Sequence, residues 1–293
     1  MAYVTGTANS ITDLLSAIQA ACTGNGWTLS GDVLHKGTCY AEVKINGTFI
    51  EVQGGTGVDG SDNLTGRSDV TAGRMCSDIY FDTTVPFAFP VTYDVFIGAS
   101  PDEVYVHINH AVDCHQQIGW GQSSMSGLNG SGNWHAGGNG SRGNYGYCGS
   151  GIYGGSSALE VIINNYSQSC SLFAATNGQN SAVDHDLDSL TWVVRSGSTD
   201  VLASYLRQPS LWNQEAILLP VRVYASRLSG FISSVLECAH LRYVNIANVA
   251  DGQIITLGSD RWMVFPFSRR GGSSGSYTIG SGWAGHAFRY DGP

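Results

Sequence analysis

Val91-Thr92-Tyr93-Asp94-Val95-Phe96-Ile97, then Gly98-Ala99-Ser100-Pro101-Asp102, then Glu103-Val104-Tyr105-Val106-His107-Ile108-Asn109-His110-Ala111-Val112 is the run that sets the fold class. Two segments rich in β-branched and aromatic residues flank five residues of turn chemistry, which is the signature of strand, turn and strand. The pattern continues downstream in short apolar runs at residues 159–163, 190–194, 217–224, 254–257, 262–267 and 284–290. No repeat of fixed period is present, and strands do not alternate with helices as a parallel sheet requires. The chain is therefore expected to be mainly β, with residues 79–293 forming an antiparallel β-sandwich or barrel-like domain with long Gly-rich loops. Two stretches inside it, 201–206 and 232–239, carry apolar spacing that suggests short helices.

Upstream, residues 1–78 read as a small α+β module. Ser10 is placed to cap a helix with Asp13 in its first turn, Ile11, Leu14, Leu15, Ile18 and Cys22 recur at helical spacing, and Gly24 and Gly26 stop the run. Its apolar stripe is expected to pack on a sheet containing Trp27 and Phe49. A hairpin is expected across Asn46-Gly47, a type I′ signal, pairing residues 39–45 with 48–52. The helix plus this β-meander ends in the Gly/Asp/Ser stretch of residues 54–68.

Residues 119–155 are dense in glycine yet hold Trp120, Trp134, Tyr145, Tyr147 and Tyr153, with Arg142 as the one charge. Disordered segments are poor in aromatics and rich in charge, and glycine at this density opposes a helix. An irregular loop region pinned by aromatics on a rigid scaffold is what remains, and such loops serve contact. The five aromatics are the candidate interface or ligand-contact residues.

Charged residues make up 13% of the 293-residue chain, against about a quarter in an average globular protein. Low charge with abundant Tyr and Trp suits extensive burial between subunits, because interface centres favour aromatics and exclude charge. The net charge of −9 gives no basic footprint, so no nucleic-acid partner is expected. No run approaches the roughly 18 apolar residues of a membrane span, and no insertion into a membrane is expected. The N-terminus lacks a basic leader, and Asp13 and Gln19 interrupt its apolar stretch, which implies synthesis and assembly in a cytoplasm. Seven scattered cysteines without a C-x-x-C pair read as mostly buried thiols.

Motifs that carry chemistry are weak. Gly271-Gly272-Ser273-Ser274-Gly275 matches the nucleophile-elbow pattern but sits in a Gly/Ser tract with no following helix. Residues 138–143 and 280–285 match a dinucleotide fingerprint, again without a helix to open. Asp184, Asp186 and Asp188 have the alternate spacing of a calcium loop, but Ser189 replaces the required glycine and Arg195 the closing glutamate. His107, His110, Asp113 and His115 cluster in sequence, yet on a strand the period of two sends His107 and His110 to opposite faces. Asp184, Asp186 and Glu160 are carboxylates that a glycan hydrolase could use, but nothing pairs them. No catalytic residue, cofactor site or metal site is expected, and the chain is expected not to be an enzyme.

Several segments carry a resemblance: Ile11-Thr12-Asp13-Leu14-Leu15 through Asn25-Gly26-Trp27-Thr28-Leu29, Pro101-Asp102-Glu103-Val104-Tyr105 leading to His115-Gln116-Gln117-Ile118-Gly119-Trp120-Gly121, and Gly130-Ser131-Gly132-Asn133-Trp134. Gln253-Ile254-Ile255-Thr256-Leu257-Gly258-Ser259-Asp260-Arg261-Trp262 and the closing Phe288-Arg289-Tyr290-Asp291-Gly292-Pro293 complete the set. Together they resemble virion structural proteins of tailed bacteriophages and prophages of Proteobacteria, in a likeness that runs nearly end to end. The resemblance implies a component of the virion in the tail, baseplate or neck, whose partners are copies of itself and other virion proteins. A receptor-binding module contacting a host surface glycan through the aromatic loops is the alternative, ahead of a glycan hydrolase.

Overall fold

A computed structural model describes residues 1–68, 72–76, 79–80, 84–112, 114–125, 130–137, 182–187, 190–193, 218–226, 232–246, 248–266 and 284–293. The chain opens with β1 (Ala2–Ala8) and α1 (Ile11–Thr23), then runs through β2 (Thr28–Ser30), β3 (Val33–Lys36), β4 (Cys39–Asn46) and β5 (Phe49–Gly55). Short strands β6 (Gly57–Val58), β7 (Leu64–Thr65), β8 (Gly73–Met75), β9 (Ile79–Tyr80) and β10 (Thr84–Val85) lead to the long pair β11 (Val91–Gly98) and β12 (Glu103–Ala111). Beyond them lie β13 (Cys114–Gln122), β14 (Asn133–Gly137), β15 (Ala182–Leu187) and β16 (Leu190–Val193). The last group is β17 (Leu219–Ser226), β18 (Ile232–Asn245), β19 (Ile254–Leu257), β20 (Asp260–Pro266) and β21 (Ala284–Arg289). The protein is mainly β, with an N-terminal strand–helix unit and antiparallel sheets.

Three sheets stack. The central one has seven strands in the order β1-β11-β12-β13-β14-β15-β16; the N-terminal sheet is β2-β3-β4-β5-β8, and the C-terminal sheet is β17-β18-β21-β20-β19. Both faces of the central sheet are covered, which is why β12 is buried at almost every position rather than at alternate ones. Val95, Ile97, Val104, Val106, Ile108, Ile118 and Trp120 face α1 and the N-terminal sheet in one apolar core with Leu14, Ile18, Val43, Ile50 and Val52. The opposite face meets the C-terminal sheet through aromatic contacts: Phe96 stacks on Phe288 with ring centres 4.8 Å apart, and Tyr105 lies 5.5 Å from Phe288. Residues on either side of position 78 thus share a core, and β1 pairs along its length with β11.

The helix forms where its caps and stripe place it. Ser10 Oγ accepts the Asp13 N–H at 3.1 Å, Gly24 closes the C-terminus, and Leu14, Ile18, Ala21 and Cys22 are the buried positions. Leu15 and Ile11 lie at the margin, partly buried against the core. Among the described residues, no helix is long and apolar enough to cross a membrane.

Three local expectations are corrected. Asn46 pairs with Phe49, so the turn is Gly47-Thr48 rather than Asn46-Gly47, with Gly47 at φ +62. A glycine at positive φ in the first central place is the II′ arrangement; a β-branched Thr48 resists the second positive φ of type I′. In that register Ile50 and Val52 face the helix, while Phe49 lies on the outer face beneath Arg74, whose Cζ is 5.3 Å from its ring. The helix expected at 232–239 is the first half of strand β18. Gly119, Gly121 and Gly137 belong to strands rather than to a loop. The expected helix at 201–206 and strand at 159–163 lie outside the described residues.

Candidate functional site

Polar side chains line the central sheet where it meets the C-terminal sheet. Asp94 stands directly opposite His107 in the β11–β12 register, and His107 opposite Gln117 in β12–β13. The Tyr3 hydroxyl donates to Asp94 Oδ1 at 2.6 Å, and Asp94 Oδ2 lies 3.1 Å from His107 Nδ1. His107 Nε2 is 2.9 Å from His115 Nδ1, and His115 Nε2 is 3.2 Å from Asp251 Oδ2. Phe265 of β20 stacks on the His107 ring with centres 3.8 Å apart. Gln117 donates to the Pro266 carbonyl at 3.0 Å while its Oε1 meets His286 Nδ1.

Burial and partners set the charge states. Burial works to raise the Asp94 carboxyl, but the hydrogen bond and charge of His107, with the Tyr3 and Thr5 hydroxyls, outweigh it and hold the group below its ordinary value. Burial lowers the His107 imidazole against the pull of Asp94, and burial wins. The two directions are compatible, because the hydrogen bond is the larger contribution of His107 to Asp94, and a neutral His107 that keeps Nδ1–H still donates it. On the other face His135 is pushed down to about 3 by burial alone. Each nitrogen of His107 and His115 is engaged by a neighbour, so the rings act on one another and on two carboxylates. The arrangement can hold and move protons across the seam between sheets.

The residues singled out in sequence fall in varied places. Trp120 and Trp134 are 0% and 1% exposed, so the contact role expected of them is corrected. Trp120 meets Trp27 edge-on at 6.2 Å within the helix-side core, and Trp134 packs 5.7 Å from Tyr105 on the opposite face. They are large side chains that fill two cores, and a partner could reach neither without unfolding the seam. Tyr145, Tyr147, Tyr153, Asp113, Asp188, Glu160 and the Gly271–Gly275 motif lie outside the described residues, as does the Asp186 side chain. Asp184 Oδ2 accepts both the Ser131 N–H at 3.0 Å and its hydroxyl at 2.6 Å, which fixes the approach to β14. His107 and His110 do lie on opposite faces: His110 stands 5.1 Å from the Phe87 ring, on the helix side. Among the described residues, no three His, Cys, Asp or Glu side chains are grouped to hold a metal. Cys22, Cys39, Cys76, Cys114 and Cys238 are buried thiols.

Sequence reasoning missed the link from Asp94 to Asp251. His107 and His115 cluster in the sequence, but their pairing follows from strand register, and Asp251 arrives from a distant turn. No protein-family model matches the chain, and no curated protein sequence matches it.

Proposed function

We propose that this chain is a non-enzymatic structural component of a tailed-phage virion, in the tail, baseplate or neck, acting through contacts with its own copies and with other virion proteins. The likeness of segments spread from Ile11 to Pro293 carries the reading. Several described side chains able to do chemistry serve the architecture, which fits its non-enzymatic half. Asp184 holds a strand approach, Glu103 holds a strand bulge, and His107 and His115 bridge two sheets. With Trp120 and Trp134 in the cores, a glycan-binding reading rests on Tyr145, Tyr147 and Tyr153.

Quantitative mass spectrometry of purified particles tests the reading. The chain is expected in several to many copies per particle, at a ratio fitting a closed ring symmetry. Its presence in infected-cell lysate but absence from particles overturns the proposal. Turnover of peptidoglycan or polysaccharide by the purified protein, lost on Asp184→Asn, would replace it with the hydrolase.

A further inference from the structure

Strand β1 ends the central sheet, and its outer side is bare. Its seven residues, Ala2–Ala8, pair one for one with β11 without a bulge. In such a ladder alternate residues turn their N–H and C=O groups away from the partner strand. Among the described residues β1 has no neighbour on that side, and no other backbone bond reaches it. The edge is also held in shape. The Tyr3 hydroxyl donates to Asp94 at 2.6 Å, and the Thr5 hydroxyl donates to the Tyr93 carbonyl at 2.9 Å. The Tyr93 ring covers Gly6, where a Cβ would lie 2.6 Å from its hydroxyl. A strand fixed in this way has little freedom left to lose on pairing.

Exposed edges invite pairing with other chains, and proteins blunt them with short strands, proline, charge and bulges. The other edges of the three large sheets follow that rule as far as they are described. β2 and β8 have three residues each, β16 and β19 have four, and β17 carries Pro220, Arg222 and two breaks in register. β1 has none of these guards, because Ala-Tyr-Val-Thr-Gly-Thr-Ala holds no charge and no proline. The strand is also complementary to itself. Antiparallel pairing about Thr5 sets Ala2 against Ala8, Tyr3 against Thr7, Val4 against Gly6, and Thr5 against its own copy. Ala2, Val4 and Ala8 lie on the helix side, so small apolar residues meet on that face, and Tyr3, Thr5 and Thr7 meet on the other. Thr–Thr pairs across strands are favourable, whereas like charges directly opposite are destabilising. Two copies that each carry −9 therefore meet along a ladder that sets no charge against another.

We propose that a second copy of this chain pairs with β1 along that edge, antiparallel and centred on Thr5, so that two central sheets become one. The contact is isologous: a single pairing closes both bare edges and leaves none for a third copy. Main-chain hydrogen bonds supply it, as in strand addition generally. The two-fold axis at Thr5 runs perpendicular to the sheet, which puts α1 of both copies on one face of the joined sheet. The contact is one form of the self-association proposed above and rests on that part of the reading. It is measured on the purified chain, so its failure is distinct from absence of the chain from particles.

Sedimentation equilibrium of the purified chain should show monomers in balance with dimers. Thr5 is exposed, so changes there leave the fold in place, which far-UV circular dichroism checks. Thr5→Lys sets two like charges opposite each other and should raise the dimer Kd about tenfold or more, whereas Thr5→Val should keep the dimer. A short bifunctional thiol reagent reads the register, with the wild-type chain as the baseline for its native thiols. Thr5→Cys should be linked to its own copy. Thr7→Cys should not, because the two copies of that position stand four residues of rise, about 14 Å, apart along the strands. A wild type that stays monomeric up to about 1 mM overturns the proposal. So does a dimer indifferent to Thr5→Lys, and so does linkage through Thr7→Cys equal to that through Thr5→Cys.

Discussion

The Glu103 carboxylate accepts two hydrogen bonds from His240, one from its backbone N–H at 2.9 Å and one from Nδ1 at 2.7 Å, with a third from the Ala239 N–H at 2.9 Å. The reason lies in the pairing of β17 with β18, where Pro220 faces Arg242 but Val221 faces Cys238, so residues 239–241 bulge out of the ladder. Glu103, fully buried at the start of β12, takes the N–H groups that the bulge orphans. Arg242 Nη1 takes the carbonyls of Cys238, Ala239 and Leu241 at 3.1, 3.0 and 2.7 Å, and its Cζ rests 4.7 Å from the Trp262 ring. A bulge on one sheet is thus completed by a carboxylate from another.

Glu103→Ala should therefore destabilise the protein by about 2 to 5 kcal/mol, the cost of leaving buried donors unpaired. Glu103→Gln keeps one acceptor oxygen and should cost less. Urea unfolding near neutral pH measures both, and equal stability of wild type and the alanine variant would mean that the bulge finds other acceptors.

The helix offers a comparison between neighbours. Leu14 is 0% exposed, whereas Leu15 is only partly buried at the margin of the same core. Leu14→Ala should cost about 2 to 5 kcal/mol and Leu15→Ala distinctly less. Thermal melts of the two variants decide it; the reverse order would mean that the helix docks by a different face.

Local signals in the sequence were enough for α1, because its cap, stripe and stop lie within seventeen consecutive residues, from Ser10 to Gly26. The same holds for β11 and β12, where residue type and turn chemistry agree. β18 misled for a physical reason. Its bulge breaks the period of two, so Ile232, Leu236 and Ala239 fall at the three-to-four spacing of a helix. Trp120 and Trp134 misled because strand glycines there serve close packing of sheets, which composition alone cannot separate from a loop. The Asp94–His107–His115–Asp251 series was illegible for want of register, since a strand shows which residues share a face but not which stand opposite.

Close packing of that kind is testable at Gly137. A Cβ there would lie 2.8 Å from the Arg74 backbone nitrogen and 2.9 Å from Gly73 Cα, where the central and N-terminal sheets meet. Both obstacles are backbone, so no rotamer change relieves them. Gly137→Ala should destabilise by about 1 to 3 kcal/mol through forced separation of the sheets. A melt within error of wild type would mean the sheets are not held at that spacing.

Acid stability carries the last prediction. The His135 imidazole is held down to about 3 by burial, against about 6.5 in an unfolded chain. Below about pH 6.5 the unfolded chain takes up a proton that the native state refuses, so the contribution of His135 is whole above that pH and is lost progressively as pH falls towards about 3. His107, also lowered by burial, has the same sign. So does Asp94, whose contribution disappears at still lower pH as its carboxyl is protonated. Global stability should therefore rise with pH on the acid side. His135→Gln removes one of the groups responsible. Urea unfolding of wild type and variant at several values from about pH 4 to about pH 6 should show the variant with a slope smaller by about 1.4 kcal/mol per pH unit, whatever its absolute stability. Parallel curves would mean that His135 takes up its proton in the folded state, and that the seam around β14 admits water.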